Sequence, residues 1–593
     1  MNPALYRIRL LCDLCRTFLI PAIFFALALQ LTRWQLGYFT LPGYFGFIVA
    51  WTVLKGWYFQ YRQDKQIRSL GARPIPRLVG KWPGNIDILL KMMTAFKTSY
   101  VLDVYLQLFE EYQCTTLNTR ILWIDNIISM DQEHSKFILA TGFNHFWRGT
   151  YQKERMETFL GQGIFNRDDD MWRQHRMTAR PFFARDRISD CENFEKHCAR
   201  TLRILSSLEA NDEPCEAQDL YSRFTLDAAS EFLFGQDLET LAAELPIPGK
   251  TEMGPKGSAT EDTWGAFAKA FELSQQNITR RGRIGNLWPL FELFEDKNEK
   301  PSKVVREWLN PLVRQALEEK ARAEKAGICS PVTEKTFLQH LADSTDDPVL
   351  ICDQLLSMLL ASRDTTACSL TYITYFLATE PGVAERLRAE VLEHCGSQGI
   401  PSFEQLKNLR YMRAVINETL RLFPPVPLNV RETRSSPCVL PYSDPTYYDA
   451  SYDSRPLYMP ANTTIVYLPL LTQRNPALWG HDAHAFDPER WLQPERIARF
   501  VANPAMFTPF SAGPRICIGQ NYAYTQMSYF LVRLLQKFDK FTLAPEFQPE
   551  GSLPPVEWKE RRGRQSFECV WPAAALTLYV KGGMWVRFRK AKG

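Results

Sequence analysis

The segment FSAGPRICIG, residues 510–519, constrains the fold and chemistry of this chain more than any other. It places Cys517 between glycines and two residues after Arg515, just before an amphipathic run over residues 521–538 that predicts a helix. Backbone N–H groups and the macrodipole at a helix N-terminus stabilise a thiolate, so we expect a lowered pKa for Cys517 and a role as an anionic metal ligand. The alternative is a buried, inert cysteine, which is the better interpretation of a lone cysteine.

The other constrained positions of this segment favour the ligand. Gly513 lets the backbone turn tightly and lets a flat group approach closely, and Arg515 supplies a charge for a cofactor carboxylate. The pattern Phe-x-x-Gly-x-Arg-x-Cys-x-Gly resembles the haem-ligand loop of the cytochrome P450 superfamily, the haem-thiolate monooxygenases. The resemblance implies that Cys517 ligates the iron of haem b, with Phe510, Gly513 and Arg515 beside the cofactor.

Composition narrows the class of protein. Hydrophobic residues make up 45% of the 593 residues, which allows a large core, and the net charge of +4 gives no electrostatic case for nucleic acid. The 13 cysteines show no paired spacing, which favours a reducing compartment over a disulfide framework. Cys12 and Cys15 form a C-x-x-C without a second pair, so we assign them no metal or redox role.

Two apolar stretches near the N-terminus predict a membrane anchor. Residues 18–31 are short and suit a re-entrant or interfacial segment as well as a span, whereas residues 36–54 are long enough to cross ~30 Å of hydrocarbon. Under the positive-inside rule, the flanking basic residues predict that the main domain faces the cytosol, whether the anchor is a hairpin or a single span. We expect the membrane to be that of the endoplasmic reticulum. The alternative is a signal peptide cleaved near Ala26-Leu27-Ala28, but the second stretch would still anchor the product.

The chain therefore divides into three predicted parts. Residues 1–70 form the membrane anchor, and residues 71–84 contain three prolines and three glycines, which predict a stiff hinge. Residues 85–593 form the haem-thiolate catalytic domain.

The predicted domain is rich in helices. They include a long apolar helix over residues 349–379 and a helix that starts at a capping box at Ser402 and runs to Phe423. Later segments, among them residues 576–580 and 584–588 joined through two glycines, predict strands. The expected fold class is mainly α with small β-sheets, which is the architecture that the cytochrome P450 resemblance implies.

The long apolar helix carries a polar cluster, ASRDTT, at residues 361–366. A carboxylate inside such a helix is costly unless it is used or satisfied, although serine and threonine often bond only to the carbonyl four residues earlier. In haem-thiolate monooxygenases a similar acid–threonine pair relays protons to the oxygen site, so the resemblance implies this role for Asp364 and Thr365. Ser362 stands where the family usually has glycine, and it would narrow the groove beside the iron or donate its own hydrogen bond.

A charged pair follows in the next predicted helix. Glu418 and Arg421 lie three residues apart and share one helix face; an exposed surface pair, which contributes under ~1 kcal/mol, is the alternative. Their order before FPPVP at residues 423–427 and FDPERW at residues 486–491 resembles the Glu–Arg–Arg network of the family. The resemblance implies a structural clamp of Glu418, Arg421 and Arg490 near the haem, without direct chemistry.

A further candidate for cofactor binding lies earlier in the chain. Trp172 and Arg176 share a helix face, and the alternative is an exposed arginine stacked on tryptophan. The family uses a similar W-x-x-x-R to hold a haem propionate, so the resemblance implies this role for both residues. Arg431, after the proline run, is a third candidate.

The function follows from these resemblances. The chain has no Walker loop, Rossmann fingerprint or H-E-x-x-H, so the implied monooxygenase needs an NADPH-dependent reductase as partner. Residues 159–166, FLGQGIFN, resemble fungal microsomal alkane and fatty-acid hydroxylases, so we expect a lipophilic substrate of that type, or a terpenoid or polyketide. Two alternatives stay open: a haem-thiolate isomerase or dehydratase that needs no external electrons, and a non-catalytic haem sensor or electron carrier.

Overall fold

The structure is a computed structural model that describes residues 5–188, 192–251, 263–327, 331, 335–442 and 454–591. The described residues are mainly helical with small sheets, which confirms the predicted fold class. The first helices are α1 Leu5–Leu14, α2 Ile20–Thr32, α3 Thr40–Ser69, α4 Ile86–Thr98, α5 Asp103–Glu111, α6 Gln132–Lys136, α7 Thr150–Leu160, α8 Asp169–Ala179, α9 Arg185–Ile188, α10 Glu192–Ala210 and α11 Ala217–Phe234. The later helices are α12 Thr263–Ile284, α13 Glu299–Ala326, α14 Phe337–Ser344, α15 Pro348–Thr379, α16 Pro381–Cys395, α17 Phe403–Asn408, α18 Arg410–Leu422, α19 Pro469–Thr472, α20 Pro476–Trp479, α21 Pro494–Ala502 and α22 Gln520–Lys537.

The strands are short and form small sheets around the helical body. They are β1 Arg73–Pro74, β2 Thr116–Asn118, β3 Asn126–Ser129, β4 Phe146–Trp147, β5 Cys215–Glu216, β6 Asn429–Thr433, β7 Cys438–Leu440, β8 Leu457–Met459, β9 Thr464–Tyr467, β10 Phe538–Leu543, β11 Pro572–Ala574, β12 Leu578–Val580 and β13 Trp585–Lys590. The largest sheet in the described residues has the order β2-β3-β9-β6-β4, in which only β3 and β9 are parallel.

The central element is α15. The Asp347 side chain accepts the N–H groups of Val349 and Leu350, which caps the helix, and Pro348 occupies its first turn. Residues 351–360 are all buried, and the helix packs against α11, α13 and α18. The predicted helix over residues 349–379 is confirmed, as is the helix after Cys517, which is α22.

The helix predicted from Ser402 to Phe423 is interrupted. The capping box of Ser402 and Gln405 forms and starts α17, but Leu409 leaves helical geometry, with φ −76° and ψ 85°. A new helix, α18, starts at once because the Glu390 carboxylate accepts the N–H groups of Tyr411 and Met412 at 2.7 and 2.8 Å. That cap comes from α16, a different helix, and local sequence does not reveal it.

The two predicted C-terminal strands exist, but they belong to different sheets. β12 pairs with β11, whereas β13 pairs with β10 and β5. Gly582 and Gly583 between them have φ of +77° and +82°, so the chain turns away instead of closing a hairpin.

The N-terminal region forms two long helical segments. Leu5–Thr32, which includes a π-helical turn at Cys15–Leu19, and Gly37–Ser69 are both long and apolar enough to cross a membrane. They pack on each other through aromatic rings, and the ring centres of Phe25 and Phe47 lie 4.9 Å apart. After α3 ends, β1 pairs in parallel with β8, which fixes the first half of residues 71–84 to the helical body. The division into anchor, hinge and catalytic domain stays a prediction.

Candidate active site

A cavity of about 1350 Å³ lies between α15 and the segment that carries Cys517. Much of its wall is apolar, and it includes Met156, Leu160, Met358 and Leu576. Among the cysteines that the structure describes, Cys517 is the one that lines this cavity. The predicted iron ligand, Cys517, therefore faces a cavity whose apolar wall suits a lipophilic molecule.

The Cys517 loop is held by the start of α22. The Cys517 N–H donates to the Phe510 carbonyl at 2.9 Å, and the Phe510 ring, which also lines the cavity, packs on Tyr524 at 5.2 Å. Burial raises the pKa of the Cys517 thiol, while the Gly519 N–H and the Arg176 charge oppose the rise. The pKa of this thiol is therefore raised and not lowered as expected, because desolvation outweighs the helix N-terminus. The positive charge of a bound metal ion offsets the cost of burying the thiolate, so a thiol that coordinates a metal loses its proton.

Gly513 is required by the geometry of the loop. Its φ is +64°, and a Cβ atom at this position would overlap the carbonyl oxygen of Leu139. Gly519, the N-cap of α22, has φ −89°, and a Cβ atom there would meet the Phe183 ring at an ordinary 3.4 Å. The need for a glycine is therefore stricter at residue 513 than at residue 519.

We expect Gly513→Ala to destabilise the protein by about 3 kcal/mol, since the methyl group adds both backbone strain and a collision with fixed backbone. The melting temperature and the yield of haem-loaded protein measure this effect. Gly519→Ala is the matched control, and its expected cost is about 1 kcal/mol or less. Equal losses in the two variants would contradict this account of the loop.

The predicted propionate-binding residues converge beside the loop. The Arg515 guanidinium lies 4.4 Å from the centre of the Trp172 ring and donates to Asp168 at 2.8 Å. Arg176 donates to the Ile516 carbonyl at 2.8 Å, and its guanidinium carbon is 6.0 Å from the centre of the Trp172 ring. Trp172, Arg176 and Arg515 all line the cavity.

The large sheet brings two more arginines to this place. Arg431 lies on β6, and the antiparallel register that pairs Trp147 with Glu432 sets Arg148, the residue after β4, beside it. Both line the cavity, and Arg148 donates to Asn429 at 3.0 Å. Sequence reasoning missed Arg148, because an isolated arginine between strands carries no local signal and only the long-range pairing places it here.

The polar cluster of α15 is split between cavity and core. Ser362 and Thr365 line the cavity, and their hydroxyls donate to the carbonyls four residues earlier, of Met358 at 2.8 Å and Ala361 at 2.6 Å. Asp364 is buried outside the cavity lining and accepts a hydrogen bond from Arg363 at 3.0 Å. The structure thus brings Thr365, but not the Asp364 carboxylate, to the cavity.

Glu418, Arg421 and Arg490 are buried together. Arg421 donates two hydrogen bonds to the Glu418 carboxylate, at 2.7 and 2.8 Å, and Arg490 donates a third at 3.4 Å. Burial favours the neutral acid, but the two guanidinium groups outweigh it and hold the pKa of Glu418 below its usual range. The remaining donors of Arg421 bind the carbonyls of Gln473, Ala483 and Ala485. The three residues therefore fix α18 to the segment before the Cys517 loop and do not reach the cavity lining.

The model of the cytochrome P450 family matches residues 88–559, most of the chain. The chain belongs to the cytochrome P450 family. Cytochrome P450 52E2 of Candida apicola is 33% identical to it over 488 residues, which cover 82% of this chain and 88% of the relative. Cytochrome P450 52A3-B of Candida maltosa is 33% identical over 478 residues, covering 79% and 85%. Cytochrome P450 monooxygenase g430 of a Fusarium species is 31% identical over 499 residues, which cover 83% of this chain and 84% of the relative.

Membership makes this P450 a monooxygenase that binds haem through a cysteine thiolate. The residues around the cavity fit that group. Burial lowers the pKa of Arg148 to about 9 and that of Arg515 to about 10, and Arg431 adds repulsion to both. Among the described residues, the one carboxylate within 4.0 Å of these three guanidinium groups is that of Asp168, which pairs with Arg515 and is shared with Lys153. Such an excess of buried positive charge suits the two carboxylates of haem b.

Proposed function

We propose that this P450 hydroxylates a lipophilic small molecule of the fatty-acid or alkane type, using O₂ and electrons that a separate reductase delivers from NADPH. The observation that carries the proposal is the apolar cavity that Cys517 and Thr365 share. The segment that resembles fungal alkane and fatty-acid hydroxylases contributes Leu160, Ile164 and Phe165 to its wall.

The glycines of that segment support its role in shaping the wall. A Cβ atom at Gly161 would overlap the Asp353 carboxylate, and one at Gly163 would overlap the Ser357 hydroxyl, both on α15. The Gln162 N–H donates to the same carboxylate at 2.7 Å. Close contact with α15 thus directs the neighbouring apolar side chains into the cavity.

Haem, when bound, supplies the activation of O₂ and the electron chemistry. The chain supplies orientation and protons. In this proposal Thr365 holds a proton at Oγ1, which now points to the Ala361 carbonyl, and Asp364, once its contact with Arg363 opens, takes a proton from water and passes it on to Thr365. Arg148, Arg176, Arg431, Arg515 and Trp172 would hold the haem edge.

The test is a turnover assay of the full chain with a reductase. Fatty acids, alkanes, terpenoids and polyketides are supplied with NADPH, and the products are identified by mass spectrometry. We expect NADPH-dependent hydroxylation of the long-chain compounds. Turnover of hydrophilic compounds alone would overturn the substrate class, turnover of peroxides without NADPH would indicate an isomerase or dehydratase, and stable binding of O₂ or CO without products would indicate a sensor.

We also propose that the protein sits in the endoplasmic reticulum membrane with its catalytic domain in the cytosol. Contacts of α1 with the catalytic domain support a hairpin anchor. The Tyr6 hydroxyl donates to the Glu292 carbonyl at 2.9 Å, and its ring centre lies 4.5 Å from that of Trp288. Arg9 forms an ion pair with Glu154 of α7 at 2.8 Å. Because these contacts need α1 and α7 on one side of the bilayer, the chain must enter through α2 and return through α3.

A hairpin predicts a cytosolic N-terminus. In sealed microsomes, an epitope tag before residue 1 should be as sensitive to added protease as a tag after residue 593, which marks the side of the catalytic domain. A protected N-terminal tag beside a digested C-terminal tag would contradict the hairpin and support a single span.

A further inference from the structure

One buried arginine of the cavity wall lies outside the group around Cys517. Arg155 of α7 is 6% exposed and lines the cavity. The charges that act on Arg148 are mainly those of Arg431 and Arg515, whereas those that act on Arg155 come from Glu432, Arg9 and Glu154. Arg155 is therefore separate from the positive charge that we assign to the haem edge.

The hydrogen-bond partners of Arg155 are neutral. Its guanidinium donates to the Gln152 amide at 3.3 Å and to the Asn286 amide at 3.2 Å, and no described residue accepts a hydrogen bond from its buried Nε. Among the residues that the structure describes, no carboxylate lies within 4.0 Å of it, although Arg281 and Arg421, both deeply buried, have such partners. A desolvated cation without a carboxylate is costly, so its place in a cavity wall calls for an anion.

The nearest carboxylates have other partners. Glu154 binds Arg9, and Glu432 accepts the N–H groups of Thr150 and Tyr151 at 3.2 and 3.0 Å. The charges of Glu432 and Arg155 act on each other only through space, since the two groups make no contact within 4.0 Å, and burial raises the pKa of Glu432 to about 7 against the Arg155 charge. The positive charge thus stays available to a ligand that enters the cavity.

The cavity face of α7 matches an amphiphilic ligand. Gln152 and Arg155 present polar groups, and Met156 and Leu160, on the following turn of the same face, present apolar ones. A molecule with an anionic head and a long apolar body can bind the polar groups with its head and pack its body on the apolar side chains of this helix face.

We propose that Arg155, flanked by Gln152 and Asn286, binds the carboxylate of the substrate, so that this P450 takes a free long-chain acid in preference to its ester or to an alkane. The inference rests on the proposed function, since it names a subsite of the same cavity. A charge-assisted pair in a dry site is strong enough to set such a preference.

The test compares dodecanoic acid with its methyl ester and with dodecane, by the change in the haem spectrum on titration of the full-length, haem-loaded protein. The wild type should bind the acid most tightly. Arg155→Met should raise the Kd of the acid at least about tenfold while the Kd of the ester changes less than about twofold. Arg155→Lys, which keeps the charge, should retain part of the acid preference. Since the guanidinium has no carboxylate partner in the part of the chain that the structure describes, the melting temperature of Arg155→Met should not fall.

Arg283 provides the matched control, because it also lines the cavity and donates a hydrogen bond at 2.9 Å to a backbone carbonyl, that of Ala574. Loss of acid preference in Arg283→Met, with Arg155→Met unaffected, would overturn the proposal. Equal weakening of acid and ester in Arg155→Met would also overturn it and indicate a packing role. If none of the three compounds bound or was oxidised, the proposed substrate class itself would fail, and the carboxylate subsite with it.

Discussion

Replacing Cys517 by serine is expected to abolish both the thiolate-type spectrum of the reduced, CO-bound protein and NADPH-dependent product formation. Cys517 is the described cysteine that lines the cavity, and a serine hydroxyl cannot supply the anionic sulfur that favours O–O cleavage. Spectra of purified protein and product analysis measure the two losses. An unchanged thiolate-type spectrum would contradict the assignment of the ligand.

The control is Cys569→Ser. Cys569 is exposed and lies outside the cavity lining, so its replacement removes a thiol of the same kind without touching the site. We expect wild-type spectra and turnover from this variant. A loss in both variants would point to a general effect on folding.

Glu418→Gln is expected to cost about 3–5 kcal/mol of the free energy of unfolding, because it removes the counter-ion of the buried Arg421 among the described residues, whereas Arg490 keeps the Asp482 carboxylate at 3.1 Å. Arg421 is fully buried and Arg490 nearly so, and neither can turn to solvent. The measurement is the melting temperature together with the yield of haem-loaded protein. Since the pKa of Glu418 is lowered in the folded protein, its contribution is present above a pH of about 4.3 and disappears as the pH falls through the lower folded-state value.

Glu404→Gln is the matched control for the clamp. Glu404 pairs with Arg185 and Lys407, but its side chain is 66% exposed, so water replaces the lost contacts. We expect a change below about 1 kcal/mol. Similar losses in the two glutamine variants would show that the burial of Glu418 does not set the strength of its ion pairs.

Features coded in one stretch of chain could be predicted from the sequence. The apolar run of α15, the capping box at Ser402 and the helix after Cys517 all form where periodicity and end signals place them. The haem-ligand loop is also local, since its glycines and its cysteine lie within ten residues of one another. The positions of these elements depend on neighbours along the chain, which the sequence records directly, although the carbonyl that excludes a side chain at residue 513 belongs to the distant Leu139.

Features that depend on distant partners could not be predicted. The Glu390 cap divides one expected helix into α17 and α18, and the pairing of β4 with β6 brings Arg148 to Arg431. The raised pKa of Cys517 belongs to the same class, because desolvation at the wall of the folded cavity outweighs the helix N-terminus that the sequence shows. Arg155 gives no signal at all in sequence, since only the folded cavity shows that none of the described carboxylates pairs with it.

The most direct test of the account is turnover under ¹⁸O₂, with the reductase, NADPH and the best substrate of the long-chain series. A monooxygenase that uses the Cys517 site should place one ¹⁸O atom in each new hydroxyl group and none when the label is in water. Product that carries no label from ¹⁸O₂, or that forms equally well without NADPH, would contradict the account.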